Sequence, residues 1–218
     1  MRKLKQFYQS NPMRFMIIAY GLYIICFFLL DNWDRSSYTY LHSSIDDLIP
    51  FATQAVYFYI SWFPLMVVPI LTFWHRKSYE ELWDFIMPML MAMFLSLLIY
   101  LFWPNALRLR PAEVTGNSLS AWITRAIQSA DSPTNVCPSI HVSTTILIDC
   151  SLHRSPQFRK KGIAASALLH LLVIAICISV MMLKQHSIID VVAGAVFAFV
   201  LNYLWVHKLN PGPETEMH

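Results

Sequence analysis

The sequence carries little charge. Only 13% of its 218 residues are charged and 56% are hydrophobic, whereas soluble domains contain about 25% charged residues. This balance excludes an ordinary water-soluble domain. The formal net charge of +3 argues against a nucleic-acid surface, so no nucleic-acid partner is predicted.

Cysteine is scarce as well. The four cysteines, Cys26, Cys137, Cys150 and Cys177, follow neither the spacing of a zinc site nor that of a disulfide framework. Three of them lie in apolar runs, where a free cysteine behaves as a small hydrophobic side chain. We therefore assign them no chemistry.

Apolar runs of membrane-spanning length, about 17 to 25 residues, make up most of the chain. They predict an all-α integral membrane protein with six transmembrane helices in one domain, 1–209, and a flexible cytoplasmic tail, 210–218. The predicted spans are 14–30, 54–74, 83–103, 138–152, 162–182 and 187–206. No small-residue cleavage site follows the first run, so we interpret it as an uncleaved span. The fourth span is short, as is typical of a helix that starts below the membrane surface.

The distribution of basic residues predicts the orientation. Most of the 16 Lys and Arg residues lie at the N-terminus, in alternate loops and in the tail, and the positive-inside bias makes that side cytoplasmic. Both termini are then cytoplasmic, and the plasma membrane is the expected location. The extracytoplasmic side holds the remaining basic residues, which are Arg35, Arg108, Arg110, Arg125 and Lys184.

The segment between the first two predicted spans, 31–53, mixes four aspartates with aromatic and aliphatic residues. This composition indicates an interfacial helix or loop. A solvated connector with aromatic anchors is the simpler interpretation, because Trp and Tyr concentrate at that depth.

Three segments on the predicted outer side carry polar residues that packing does not require. They are LRLRP at 107–111, CPSIHV at 137–142 and KQHSIID at 184–190. Ionisable groups at the ends of membrane spans are costly unless they reach the interface, pair or function. The three segments are therefore predicted to form one site.

The last segment contains a His–Asp pair. His186 and Asp190 are four residues apart, so on a helix they share one face and the carboxylate can accept the proton of one ring nitrogen. The other nitrogen is then an oriented nucleophile or base. Taken alone, the pair is equally compatible with a structural or interfacial role.

The middle segment resembles a helix N-terminus. Pro138 suits a first turn, and Ser139, Ile140 and His141 then offer backbone N–H groups to an anion. Ser139 can add a hydroxyl donor and His141 can act as a general acid. The alternative is that Ser139 only caps the helix and His141 lies among lipid headgroups.

Cations complete the predicted constellation. Arg108, Arg110 and Lys184 can neutralise phosphate oxygens during phosphoryl transfer, although contact with lipid headgroups is the alternative interpretation. Carboxylates are too few for a typical magnesium site and the histidines lack zinc spacing. No metal and no cofactor are predicted.

These segments resemble the motifs of the type 2 phosphatidic acid phosphatase superfamily, a six-helix membrane fold also found in soluble acid phosphatases and haloperoxidases. The Arg-Pro of the first motif matches Arg110 and Pro111. The second, Pro-Ser-Gly-His or a variant, matches residues 138–141, and the third matches Ser179, His186 and Asp190.

The resemblance implies that His186 attacks phosphorus, that His141 protonates the leaving oxygen and that Asp190 orients His186, with Arg110 and Ser139 holding the phosphate and no metal required. Two positions depart from the family pattern. Trp103 stands where a Lys is usual and Val180 where an Arg is usual; Lys184 and Arg108 are the candidate replacements. The segment LKQHSIIDVVAG is similar to the branch that contains inositolphosphoryl-ceramide and sphingomyelin synthases.

The leading hypothesis is a phosphatase that acts on a lipid phosphate in the outer leaflet through a phosphohistidine. A lipid headgroup phosphotransferase, which passes the phosphoryl group to an alcohol, is the alternative. A non-catalytic lipid-binding membrane protein is the third hypothesis, favoured by the two missing cations.

Overall fold

The computed structural model describes residues 2–210, so nearly all of the predicted tail, 210–218, lies outside the described residues. The chain is mostly helical. The shorter helices are α1 (Arg2–Ser10), α3 (Ser44–Leu48), α4 (Val56–Ile60), α7 (Leu119–Ala130) and α9 (Pro156–Arg159). The longer helices are α2 (Pro12–Asp31), α5 (Trp62–His75), α6 (Tyr79–Phe102), α8 (Ile140–Arg154), α10 (Ile163–Met182) and α11 (Ile188–Leu204).

Among residues 2–210, five helical stretches are long and apolar enough to cross a membrane, as expected of a helical membrane protein. They are Pro12–Asp31, Thr53–His75, Tyr79–Phe102, Ile163–Met182 and Ile188–Leu209. The second joins a 3₁₀ turn, Thr53–Ala55, to α4 and α5, and the last continues α11 through a π turn, Trp205–Leu209. The largest difference from the predicted bounds is at α6, which begins at Tyr79 and not at residue 83.

The fourth predicted span corresponds to α8, which has only 15 residues and is not among these five. It packs against α6, α10 and α11, and Leu147 and Ile148 are completely enclosed. The hydroxyls of Thr144 and Thr145 donate to carbonyls one turn earlier, at 2.6 Å each, so polar side chains are tolerated in this buried position. Helix α8 is therefore the central element of the structure.

The loops contain structure that the sequence did not predict. Two short parallel strands, β1 (Thr39–Tyr40) and β2 (Asn105–Ala106), join the segment after α2 to the segment after α6. Helices α1 and α7 were also not predicted. Tyr8 of α1 is buried and donates a hydrogen bond from its hydroxyl to the carbonyl of Tyr79 at 2.7 Å, so α1 is fixed against α6.

Candidate functional site

The starts of α8 and α11 lie side by side. The amide of Ser139 donates to the carbonyl of Asp190 at 3.1 Å. The close approach requires a glycine, because a Cβ on Gly194 would lie 2.8 Å from the carbonyl oxygen of Ser139. The second and third sequence segments, which are far apart in the chain, thus meet in one place.

His186 is held by a buried carboxylate. Its Nδ1 is hydrogen-bonded to Oδ2 of Asp190, whose side chain is fully buried. The other oxygen of Asp190 accepts from the amide of Ser187 at 2.7 Å, which closes a capping box at the start of α11. Both oxygens are satisfied, so the carboxylate fixes one orientation of the imidazole and leaves Nε2 free.

His141 faces that free nitrogen. Its Nδ1 lies 3.5 Å from Nε2 of His186. The His141 ring lies beside the rings of Tyr59 and Trp62, with centroid distances of 4.7 and 4.8 Å, and Trp62 is itself anchored by a 2.9 Å hydrogen bond to Thr144. Two imidazoles, one on α8 and one in the turn before α11, are therefore directed at one another by their surroundings.

Arg110 approaches this pair through Gln185. Its guanidinium donates to Oε1 of Gln185 at 2.5 Å and to the carbonyl of Asp131 at 2.6 Å. Among the described residues, Nε of Arg110 and Nε2 of Gln185 are buried without a hydrogen-bond partner. Buried donors without acceptors are costly, and an anion bound here would satisfy them.

The carboxylate of Asp131 lies at the same place, 3.6 Å from the Arg110 guanidinium. Burial lowers the pKa of Arg110. Burial also raises the pKa of Asp131 to about 6, although the charge of Arg110 opposes that rise. A group that changes charge near neutral pH thus lies at the edge of the site.

A cavity of 340 Å³ lies beside this group, and Arg110, Ser139 and Asp190 lie behind its wall without lining it. His141, His186, Gln185, Asp131 and Ile140 contribute to its wall. Most of the remaining wall is aromatic and consists mainly of Tyr23, Phe27, Tyr59, Trp62, Phe63 and Tyr100. A wall with a few polar groups on one side and an apolar remainder suits a ligand with a polar head and an apolar body.

Two predicted phosphate ligands lie elsewhere. Nζ of Lys184 donates to the carbonyls of Asp46 and Ile49, each at 2.6 Å, and the guanidinium of exposed Arg108 lies 3.7 Å from the ring centroid of Tyr40. Neither residue lines the cavity. The physical reason is that each cation has a nearer acceptor or aromatic face in the segment after α2.

Ser139 and Ile140 are where the sequence predicted a helix N-terminus. The hydroxyl of Ser139 accepts from the amide of Val142 at 3.3 Å, so Ser139 caps α8 and is fully buried. Ile140 is the first residue of α8, where amides have no intrahelical acceptor. The cap is thus present, and Ile140 borders the cavity.

Asp46 is a residue that sequence reasoning missed. The segment 31–53 was interpreted as a connector, yet Asp46 is buried and its carboxylate accepts from the Ser187 hydroxyl at 2.6 Å and the Ile188 amide at 2.8 Å. It therefore stabilises the start of α11, next to His186. The available signal was the Ser43 to Asp46 spacing of a capping box, which the structure contains.

The turn before α8 has a similar support. Oδ1 of buried Asn105 accepts from the amides of Val136 and Cys137, both at 2.8 Å, and the Tyr100 hydroxyl donates to the carbonyl of Pro138 at 2.6 Å. These bonds connect the end of α6 to the turn that carries Ser139 and His141. No motif in the sequence pointed to Asn105 or Tyr100.

Comparison with protein-family models, with curated proteins and with solved structures gives no match for this chain. No family is therefore assigned. The functional interpretation depends on the geometry of the site and on the chemistry of its residues.

Proposed function

We propose that this protein is a membrane phosphatase for lipid phosphates that works through a phosphohistidine on His186. The observation that supports this most directly is the arrangement of one imidazole. Nδ1 of His186 is committed to Asp190, and Nε2 lies 3.5 Å from a second imidazole, that of His141. An oriented nucleophile beside a general acid is the minimum that covalent phosphoryl transfer requires.

In the first step, Nε2 of His186 attacks phosphorus and the bond between phosphorus and the lipid oxygen breaks. His141 gives its proton to that leaving oxygen, while Asp190 stabilises the positive charge that develops on the His186 ring. The free donors of Arg110 and Gln185 are suited to hold the phosphoryl oxygens.

In the second step, water attacks the phosphorus of the phosphohistidine. Neutral His141 takes a proton from that water, the bond from nitrogen to phosphorus breaks, and inorganic phosphate leaves with His186 restored. His186 and His141, both from this chain, act in both steps.

The proposed substrate is a lipid with a terminal phosphate in the outer leaflet. The aromatic wall of the cavity supports an apolar body next to the phosphate. In this proposal α8 is the short fourth span, which brings the number of spans to six, and both termini lie in the cytoplasm. The excess of Lys and Arg on the cytoplasmic side supports that orientation of a plasma-membrane protein.

Trapping of the intermediate tests the proposal. Purified protein is mixed with a lipid phosphate labelled on its phosphorus and is then denatured at alkaline pH, because phosphohistidine is unstable in acid. Wild type and the surface variant His75→Ala should retain label on the chain, and His186→Ala should retain none. Label or turnover in His186→Ala equal to that of wild type would contradict the covalent mechanism.

The choice of acceptor separates the phosphatase from the phosphotransferase. A phosphatase should release inorganic phosphate from solubilised phosphatidic acid, phosphatidylglycerol phosphate or a polyprenyl pyrophosphate without additions. A transferase should release it slowly and should speed up only with an added alcohol. Binding of these lipids without any turnover would instead identify the non-catalytic lipid-binding protein.

A further inference from the structure

A second group of histidines lies at the other end of α8. Asp149 and His153 are four residues apart on α8, and His170 of α10 lies beside them. One possible ligand atom from each of the three side chains lies within 4.8 Å of the other two. Between His141 and His153 the helix advances about 18 Å at 1.5 Å per residue, so this group is separate from the candidate active site.

The hydrogen bonds within this group leave some lone pairs without a donor. Nδ1 of His153 lies 2.9 Å from the backbone carbonyl of Asp149. With its single proton on Nδ1 donated there, His153 presents an unprotonated Nε2. That Nε2 and Oδ1 of Asp149 are buried without a hydrogen-bond partner among residues 2–210, although Nδ1 of His153 lies 3.2 Å from Oδ1. Two buried acceptors with nothing to accept are unfavourable unless a cation lies between or beside them.

The nearest basic side chain on α8 does not supply that cation. Arg154 donates to the carboxylate of Asp84 at 2.8 Å, to the Asn202 amide oxygen at 2.5 Å and to the hydroxyl of Ser151 at 3.0 Å. Its donors are directed away from Asp149. The carboxylate of Asp149 instead has two imidazoles as neighbours, with Nδ1 of His170 3.0 Å from Oδ2.

We propose that Asp149, His153 and His170 bind a divalent transition-metal ion of the zinc type. Imidazole nitrogen and carboxylate oxygen are ligands that such ions prefer. Ligand atoms of a tetrahedral zinc site lie about 3.4 Å apart, given bonds of about 2.0 to 2.1 Å. The His153 and His170 rings are stacked, with centroids 4.4 Å apart and planes 2° apart, so one imidazole must turn for both to bind the same ion. The bond from His153 Nδ1 to a backbone carbonyl is the outer support that orients a metal-binding histidine.

Two ligands come from α8 and one from α10, so the bound ion connects these helices. His170 is the more exposed of the two carboxylate neighbours, with 54% of its side-chain surface exposed, compared with 16% for Asp149. The expected consequence of binding is a more stable packing of α8 against α10, at the end of α8 far from His186.

The experiment uses the full chain in detergent, without a polyhistidine tag. After treatment with a chelator and its removal, Zn²⁺ is added and bound ion per chain is measured by equilibrium dialysis, together with the thermal midpoint. Wild type should bind one ion and gain roughly 5 °C or more at saturation. His170→Ala should lose at least the roughly 10- to 100-fold in affinity that loss of even an outer support costs.

Three variants make the result decisive. His75→Ala, a change at an exposed histidine outside the group, should bind like wild type. His186→Ala should also bind like wild type, so failure of the catalytic proposal and failure of this one are distinguishable. Asp149→Asn keeps the side-chain volume and should weaken binding as His170→Ala does. Absence of binding to wild type, or equal binding to His170→Ala folded like wild type by circular dichroism, would overturn the proposal.

Discussion

The two ends of α8 carry the same residue types in different arrangements. At its start, Asp190 is fully buried and both of its oxygens are hydrogen-bonded, one to His186 and one to a backbone amide. Near its end, Asp149 lies between two imidazoles, and its Oδ1 is without a hydrogen-bond partner among the described residues. In each case a carboxylate engages a histidine and a second histidine lies next to the first.

The difference lies in which atoms are left free. At the start of α8 the carboxylate is saturated and the free lone pair is on a single nitrogen, Nε2 of His186, which is the requirement for a nucleophile. Near the end of α8 the free lone pairs are on both an oxygen and a nitrogen, which is the requirement for a metal site. Residue type alone therefore does not separate the two chemistries, whereas the hydrogen-bond partners do.

The largest effect is expected from replacing the saturated carboxylate of Asp190 with an amide. In Asp190→Asn the amide oxygen can still accept from the amide of Ser187, but the NH₂ group faces Nδ1 of His186. The imidazole then places its proton on Nε2 and loses its nucleophilic lone pair. Turnover should fall by roughly 10³- to 10⁴-fold, measured as phosphate release under saturating substrate.

Asp34→Asn is the matched control, because Asp34 is exposed and lies outside the cavity. Its activity should stay within about twofold of wild type, as surface substitutions usually do. If Asp190→Asn kept wild-type turnover while remaining folded, the carboxylate of Asp190 would not be needed for catalysis. The proposed difference between the two ends of α8 would then be wrong.

A smaller effect is expected from separating α11 from α8. Alanine at position 194 would place a Cβ 2.8 Å from the carbonyl oxygen of Ser139, so the helices must move apart. We expect Gly194→Ala to lower the free energy of unfolding by about 1–3 kcal/mol and to reduce turnover, because His141 lies on α8 and His186 lies in the turn that leads into α11.

The same substitution at another glycine, Gly21→Ala, should have the opposite effect on stability. No atom lies within 4 Å of the Cβ that it would add on α2, so the helical preference of alanine over glycine should make it neutral or stabilising by about 0.5–1 kcal/mol. Thermal unfolding in detergent measures both variants. Equal thermal midpoints for the two variants would show that the contact between position 194 and Ser139 does not limit the packing of α11 against α8.

The helices could be predicted from the sequence because apolar runs of about 20 residues have few other solutions. The loops could not. Tertiary contacts stabilise α1, as Tyr8 against α6 illustrates, and burial of Asp46 depends on α11, which begins more than 130 residues later. Aromatic and acidic residues in 31–53 have the same composition whether they cover a membrane surface or cap a helix.

The contact of His186 with Asp190 could be predicted from their spacing of four residues, but its geometry could not. His186 lies in the turn before α11, and the capping box of Ser187 and Asp190 places the carboxylate beside it. The positions of Lys184 and Arg108 could not be predicted either, since the carbonyls of the segment after α2 and the ring of Tyr40 that engage them are distant in sequence. The group around Asp149 was missed for the same reason. His170 comes from another helix, so no sequence spacing reveals it.

The smallest effect is expected from pH, through Asp131. Burial raises the pKa of this carboxyl from 3.8 to about 6, so its stabilising contribution to the fold is full below pH 3.8 and is lost as pH rises through 6. Over the same range Asp131 becomes an anion beside Arg110 and repels a phosphate in the cavity. The KM of wild type should therefore rise roughly 3- to 10-fold between pH 5 and pH 7.5.

Asp131→Asn isolates that effect, because the second ionisation of a phosphate monoester, near pH 6, is the same for both proteins. The variant should have a KM that changes less with pH, and it should match wild type most closely below pH 5, where Asp131 is neutral. Parallel profiles of KM against pH for the two proteins would show that the charge of Asp131 does not affect binding of the phosphate. Binding of the phosphate would then depend on Gln185 in the cavity wall and on Arg110, which donates to Gln185 from behind that wall.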